Sequence, residues 1–214
     1  QMIMEMGLQS EADDLLPWFE MYQSTLDRSA LIDRMQEHAP DAHELVKMYY
    51  EWLRAAGMVD LATVKRTCAE GMAAGRIPLF ACTDLLVDES QDSDELQMLM
   101  AETHGRSGVI TTRVGDDEQT IYDWRSAIGY KGMQQFVERC DAEIVRLGEN
   151  FRSHEEIVAA ATRLIAFNNP NRIDKMQRST KGPGGSVEAF SFEDPMKESI
   201  WVAKEISSTS SFPY

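Results

Sequence analysis

The sequence predicts an α/β chain, with a parallel sheet covered by helices following an all-helical block. Three observations carry that expectation. Apolar residues recur at spacings of three and four from Ser10 to about Ala74, which is the period of a helix face. After Pro78, short β-prone runs alternate with helical stretches, the pattern of strands joined by crossover helices. Each β-prone run also closes on a cluster of polar residues.

Taken in order, Ser10 with Asp13 and Asp41 with Glu44 have the spacing of helix capping pairs. The second precedes an apolar stripe of Leu45, Met48, Tyr49, Trp52 and Leu53. Gly57 and Gly75 stand where helices need a left-handed residue to stop. Residues 1–78 are therefore expected to form a helical subdomain. "LFACTDLLVD" (79–88) and "VITTRV" (109–114) read as strands, with a helix between them ending at Gly105. A helix around 131–139 leads to a third expected strand, "EIVRL" at 143–147. Beyond it come an amphipathic helix over 154–168, a flexible connection "STKGPGG", a strand "SVEAFSF" and a last helix over 195–206. The closing residues 207–214 have no periodicity and read as a disordered or artificial tail.

With 214 residues and 43% hydrophobic content, the chain can bury a core of its own. Its net charge of −15 argues against holding nucleic acid by overall charge, and leaves a local basic groove as the only electrostatic route. Cys68, Cys82 and Cys140 form no CxxC pair and have no histidine cluster beside them, so neither a disulfide framework nor a zinc site is indicated. That usage fits a cytoplasmic location. No stretch approaches the length of a membrane span and no charged-then-apolar leader opens the chain, so no membrane association is expected. The four histidines (38, 43, 104 and 154) read as surface or structural, and the 13 methionines as adaptable core packing.

Ligands of a parallel sheet bind at the carboxyl ends of its strands. There the sequence places Asp88 and Glu89 after the first strand, "GDDEQ" after the second and "GENFRS" after the third. A carboxylate at such an edge can hold Mg²⁺ through its water shell, and a neighbouring Glu can orient and deprotonate an attacking water. A Gln on the next loop can sense a γ-phosphate, and an Arg from a separate lobe can neutralise the charge that develops there, worth ~10³ to 10⁵ in rate. Taken singly, each has a plainer reading. Asp88 and Glu89 would be a solvated turn, Arg152 a partner for Glu149 or Glu155, and Asp116, Asp117 and Glu118 a solvated loop from which only Gln119 reaches a nucleotide.

Together, "LLVDESQD" (85–92), "VGDDEQTIYDWRSA" (114–127) and "LGENFRS" (147–153) resemble the second, third and fourth helicase motifs of the UvrD/Rep/PcrA-type superfamily 1 DNA helicases. "YYEWLRAAGMVDLATV", "NNPNRIDKM" and "GGSVEAFSFEDPMKESIWVAKEI" are similar, more weakly, to the family's helical insertion and to the start of its second motor lobe. The resemblance covers nearly the whole chain but only the middle of a helicase. It implies an incomplete RecA-like P-loop NTPase core: a helical insertion (1–78), the second half of one lobe (79–147) and the start of another (148–206), hinged near Leu147 to Asn150. It implies ATP and Mg²⁺ as cofactors and single-stranded or partly duplex DNA as partner. In its terms Asp88 coordinates Mg²⁺ and Glu89 is the catalytic base. Gln91 and Asp92 support the nucleotide edge, Gln119 contacts the γ-phosphate and Arg152 is the arginine finger. Phe151, where the family more often has Tyr, lies against adenine. Tyr122 and Trp124 stack on DNA bases, buttressed by Arg125. The chain departs from the family at Ser90, usually aromatic, and at Asp123 and Ser126, usually Gly. Asp123 puts negative charge between the stacking rings and weakens the pull on a phosphate backbone. The 214 residues contain no GxxxxGKS or GxxxxGKT loop to cradle phosphates, so the chain by itself is expected neither to bind ATP tightly nor to hydrolyse it. Two further classes fit these residues: a non-catalytic helicase remnant acting in regulation, and the helicase part of a recombination helicase-nuclease.

Overall fold

The structure is a computed structural model that describes residues 7, 12–120, 128–168, 172–173 and 175–208. Tyr122, Trp124 and Arg125, with Ser10 and residues 209–214, lie outside the described residues. The described residues form a mixed α/β chain with many helices and two short parallel sheets. The chain divides into two compact units, the first comprising residues 1–146 and 168–175, the second residues 147–167 and 176–214.

The first unit opens with helices α1 (Ala12–Ser24), α2 (Arg28–His38), α3 (Pro40–Ala55) and α4 (Leu61–Ala73). Their starts follow side-chain chemistry. Asp27 accepts from the Ala30 amide at 2.9 Å and Asp60 from the Thr63 amide at 2.6 Å, each satisfying a backbone donor that the first helical turn leaves unpaired. At α3 the structure differs from the expected Asp41/Glu44 cap. Pro40 occupies the first turn, its fixed φ being preset for a helix, so α3 begins before Asp41 and Glu44 pairs with Lys47 instead. Gly57 and Gly75 adopt φ of +65° and +69°, the left-handed stops expected of them.

Leu15, Leu31, Met35, Ala42, Leu45 and Val46 form the core of this helical block, with Trp18, Phe19, Tyr22 and Tyr50 packed around it. The stripe of α3 is rotated from the expected one, centring on Ala42, Leu45, Val46 and Leu53. Trp52, roughly 80° from that centre at 3.6 residues per turn, is left half exposed.

Beyond the block, strand β1 (Asp84–Val87) runs parallel to β2 (Ile110–Arg113), with Asp84 opposite Ile110 and Val87 opposite Arg113. Helix α5 (Glu95–Arg106) makes the crossover, and α6 (Gly129–Cys140) follows β2. A full capping box, Asp94 with Gln97, starts α5. Buried Glu102 on α5 takes Arg106 at 2.9 Å and Arg139 of α6 at 3.2 Å, tying the two helices. His104, fully buried, is satisfied at both ring nitrogens, by the Met100 carbonyl and the Phe80 amide, which accords with the structural role expected of it.

Alternate residues of both strands are exposed, with Leu86 at 76% and Ile110 at 65%, so one sheet face is bare among the described residues. Parallel sheets are normally covered on both faces.

The expected third strand is not there. Residues 143–147 carry no strand and pair with neither edge of the two-stranded β1–β2 sheet, so Val145 and Leu147 are left exposed despite their β-prone composition. In the second unit, β3 (Glu149–Asn150) pairs in parallel with β4 (Arg178–Ser179), and helices α7 (Glu155–Ile165) and α8 (Pro195–Ser208) complete the unit. The expected strand 186–192 is likewise unpaired, and Phe190 and Phe192 lie against Trp201 of α8 at 4.4 and 5.6 Å between ring centres. The glycine-rich connection is tied down, since the Glu156 carboxylate accepts from the Gly184 and Gly185 amides at 3.2 and 2.8 Å.

Candidate functional site

The carboxyl edge of the β1–β2 sheet brings two of the three polar clusters together. Pairing continues past the strands: Val114 donates to the Val87 carbonyl at 2.8 Å, and Ser90 donates to the Val114 carbonyl at 2.9 Å. Regular parallel pairing would use the amide two residues after Val87, so the chain leaving β1 carries one extra residue, a bulge made at Glu89, whose φ of 49° and ψ of 41° are left-handed. For a residue with a side chain that conformation costs about 1–2 kcal/mol, and such strain gathers at functional sites. It is held by Glu89 N donating to Asp88 Oδ1 at 2.9 Å, by Asp92 N donating to the Glu89 carbonyl at 2.9 Å, and by the 3₁₀ turn Ser90–Asp92.

Gln91 is 2% exposed and joins the two loops. Its Nε2 donates to Glu89 Oε2 at 2.8 Å, and its Oε1 accepts from the Asp116 amide at 3.0 Å. Asp116 in turn accepts from Gln119 Nε2 at 2.8 Å. Glu89 on the loop after β1 and Gln119 on the loop after β2 are thus linked through Gln91 and Asp116. Gly115 makes this approach feasible, since a Cβ there would lie 2.7 Å from Gln91 Oε1 and 3.1 and 3.2 Å from the Gln91 and Ser90 amide nitrogens. Behind the turn, Arg113 donates to the Ser90 carbonyl at 3.2 Å and stands 4.9 Å over the Phe136 ring. Burial pulls its guanidinium below the usual range, opposed by the charge of Glu102.

Asp88 and Glu89 are exposed at the edge, whereas Asp92 Oδ1 is enclosed without a hydrogen-bond partner. That burial and the charge of Glu89 push the Asp92 carboxyl above its ordinary value. Among the described residues no group of three or more His, Cys, Asp or Glu side chains is gathered to hold a metal. A Mg²⁺ keeps several waters and takes one or two carboxylates, and the exposed carboxylate of Asp88 could supply one.

The solvated-loop reading of Asp116, Asp117 and Glu118 does not survive. The Asp117 side chain is fully buried, and all three carboxylates face Lys175. The sequence reading missed Lys175, Arg172, Gly115 and the linking role of Asp116. Only Gly115 left a signal, as the glycine that directly precedes the acidic run.

The third cluster belongs to the second unit and to a different sheet. Asn150 Oδ1 accepts from the Arg152 and Ser153 amides at 3.0 and 2.9 Å, a turn that leaves Arg152 and Phe151 exposed, Phe151 at 70%.

Comparison with known proteins bears on the same segments. Residues 13–140 match the family described as UvrD/REP helicase N-terminal domain. DNA helicase II of Haemophilus influenzae is 30% identical over 189 residues, which are 88% of this chain and 22% of that protein. DNA helicase II of Escherichia coli is 29% identical over 193 residues, 88% of this chain and 23% of that one. The ATP-dependent DNA helicase Rep of Escherichia coli is 34% identical over 122 residues, 57% of this chain and 18% of that one. The chain spans less than a quarter of the length of these relatives. Because the family match takes in both loops of the sheet edge and the helices that hold them, this chain belongs to the UvrD/REP helicase family.

Proposed function

We propose that this chain is the central part of an ATP-dependent DNA helicase or translocase, and that the β1–β2 edge is its hydrolysis site. The observation that carries the reading is the linked set Glu89, Gln91, Asp116 and Gln119, drawn from two loops at one sheet edge. In this reading the fold is part of a RecA-like core with a helical insertion, and the bare sheet face is where a further layer of such a core would pack.

Glu89 acts as general base: its exposed carboxylate takes a proton from the water that attacks the γ-phosphate, while Gln91 fixes its orientation. Gln119 contacts that phosphate, and its tie to Asp116 makes contact there felt at the Glu89 turn. Asp88 would hold Mg²⁺, whose charge, when it is bound with the nucleotide, screens the phosphates. Arg152 serves as arginine finger and Phe151 as a face for adenine. Tyr122 and Trp124, with Arg125, stack on single-stranded DNA, at about 1–3 kcal/mol per base. Movement on that strand, 3′ to 5′, follows from family likeness alone.

In the full-length protein, Glu89→Gln is expected to keep ATP affinity while turnover falls by roughly 10²- to 10⁴-fold, the usual range for a general base. Normal turnover in that variant would refute the role of Glu89. The 214-residue chain, having no phosphate loop in its sequence, is expected to turn over no ATP, and turnover lost on Glu89→Gln would contradict this.

A further inference from the structure

Arg172, Ile173 and Lys175 belong to the first unit, although the chain on either side of them, up to Phe167 and from Met176, belongs to the second. The resemblance had assigned this segment to the second lobe. What holds it is the loop that carries Gln119. Lys175 Nζ lies 2.6 Å from Asp116 Oδ1, 2.8 Å from Asp117 Oδ1 and 3.2 Å from Glu118 Oε2, so one ammonium faces three carboxylates. Arg172 adds a bond to Glu118 at 3.0 Å, and the Ile173 amide donates to Asp117 Oδ2 at 2.7 Å.

None of these groups is a loose surface charge. The side chains of Lys175, Arg172 and Glu118 are about one-sixth exposed or less, and that of Asp117 is fully buried. Ion pairs so enclosed are costly to break on one side only, because the partner is left charged without compensation. Burial alone would lower the Lys175 ammonium, but the bonds and charges of Asp116 and Asp117 outweigh it and hold it above its ordinary value.

Asp116 is where the clamp meets the sheet edge. One carboxylate oxygen takes Lys175 and the Glu118 amide, the other takes Gln119, and the Asp116 amide donates to Gln91, which holds Glu89. We propose that Lys175 is a positioning residue that clamps the Gln119 loop and, through Asp116 and Gln91, holds Glu89 in its left-handed pose. Resting on the hydrolysis reading above, this makes turnover answer to the second unit, since that unit is joined to both ends of the clamped segment.

The test compares Lys175→Met with Lys175→Arg. Amide exchange of the 214-residue chain is read at Asp116, Glu118 and Ser90, with the α2 and α3 core amides as reference. Lys175→Met is expected to speed exchange at all three by roughly tenfold or more, the scale of losing charge-assisted hydrogen bonds, with the reference amides unmoved. Lys175→Arg, which keeps the charge, is expected to recover part of that protection. In the full-length protein, Lys175→Met is expected to lower kcat by roughly tenfold while KM for ATP stays within about twofold, the split of a group acting on the transition state rather than on binding. Faster exchange confined to Glu118, with Ser90 unchanged, would overturn the relay to Glu89, as would an unchanged kcat. Failure of the hydrolysis reading looks different: Glu89→Gln would retain turnover while the exchange pattern of Lys175→Met stood.

Discussion

Gly115→Ala tests how closely the two loops approach. Gly115 has no positive φ, so alanine is compatible with its backbone, and the whole cost is steric. The added methyl would lie 2.7 Å from Gln91 Oε1 and 3.1 and 3.2 Å from two backbone nitrogens. The side-chain contact can be relieved only if Gln91 swings away, which gives up its bonds to Glu89 and to the Asp116 amide inside a buried site. The backbone contacts demand that the loops part. Overpacking of this kind costs about 1–3 kcal/mol, and leaving a buried amide unsatisfied costs about 1–3 kcal/mol more. A destabilisation of about 2–6 kcal/mol follows, read as a shift of the urea midpoint by tryptophan fluorescence. Gly57→Ala is the control: it meets open space but a φ of +65°, so it is expected to cost about 1 kcal/mol, and Gly57→Asn less, because Asn tolerates that region. Gly115→Asn is expected to be worse than Gly115→Ala. A cost at Gly115→Ala below about 0.5 kcal/mol, with the Asp116 amide still protected, would refute the approach.

Two further outcomes follow from the same region. Asp92 titrates above its ordinary value, so its charged form is disfavoured in the fold: the protonated-state stability is present below the unfolded pKa and lost as pH rises through the folded one. Asp92→Asn is therefore expected to melt higher than the parent at pH 7 and equally at acid pH, and a lower melting temperature at pH 7 would contradict this. Trp124→Ala in the full-length protein is expected to weaken single-strand binding by about 1–3 kcal/mol while ATPase without DNA survives; unchanged DNA affinity would remove the stacking role.

Much of the helical architecture was legible because its signals are local. Gly57, Gly75 and the alternation of β1, α5, β2 and α6 lie within a few residues of the structure they specify. Strands depend on partners elsewhere, which is why "EIVRL" and "SVEAFSF", β-prone in composition, carry none. Pro40 overrode the Asp41/Glu44 pair because a ring that presets φ decides where a helix begins. At the sheet edge, Glu89 and Gln119 could be named from strand-end chemistry. Lys175 could not, since it meets Asp116 across 59 positions and no spacing rule reaches that far.

The central claim is that the two loops act as one catalytic edge, and a double-mutant cycle on turnover in the full-length protein tests it most directly. Groups that act as a unit are strongly non-additive. Glu89→Gln and Gln119→Ala are each expected to slow ATP hydrolysis, and the double variant to be little slower than Glu89→Gln alone. Losses that multiply would show Glu89 and Gln119 working independently and would contradict the account.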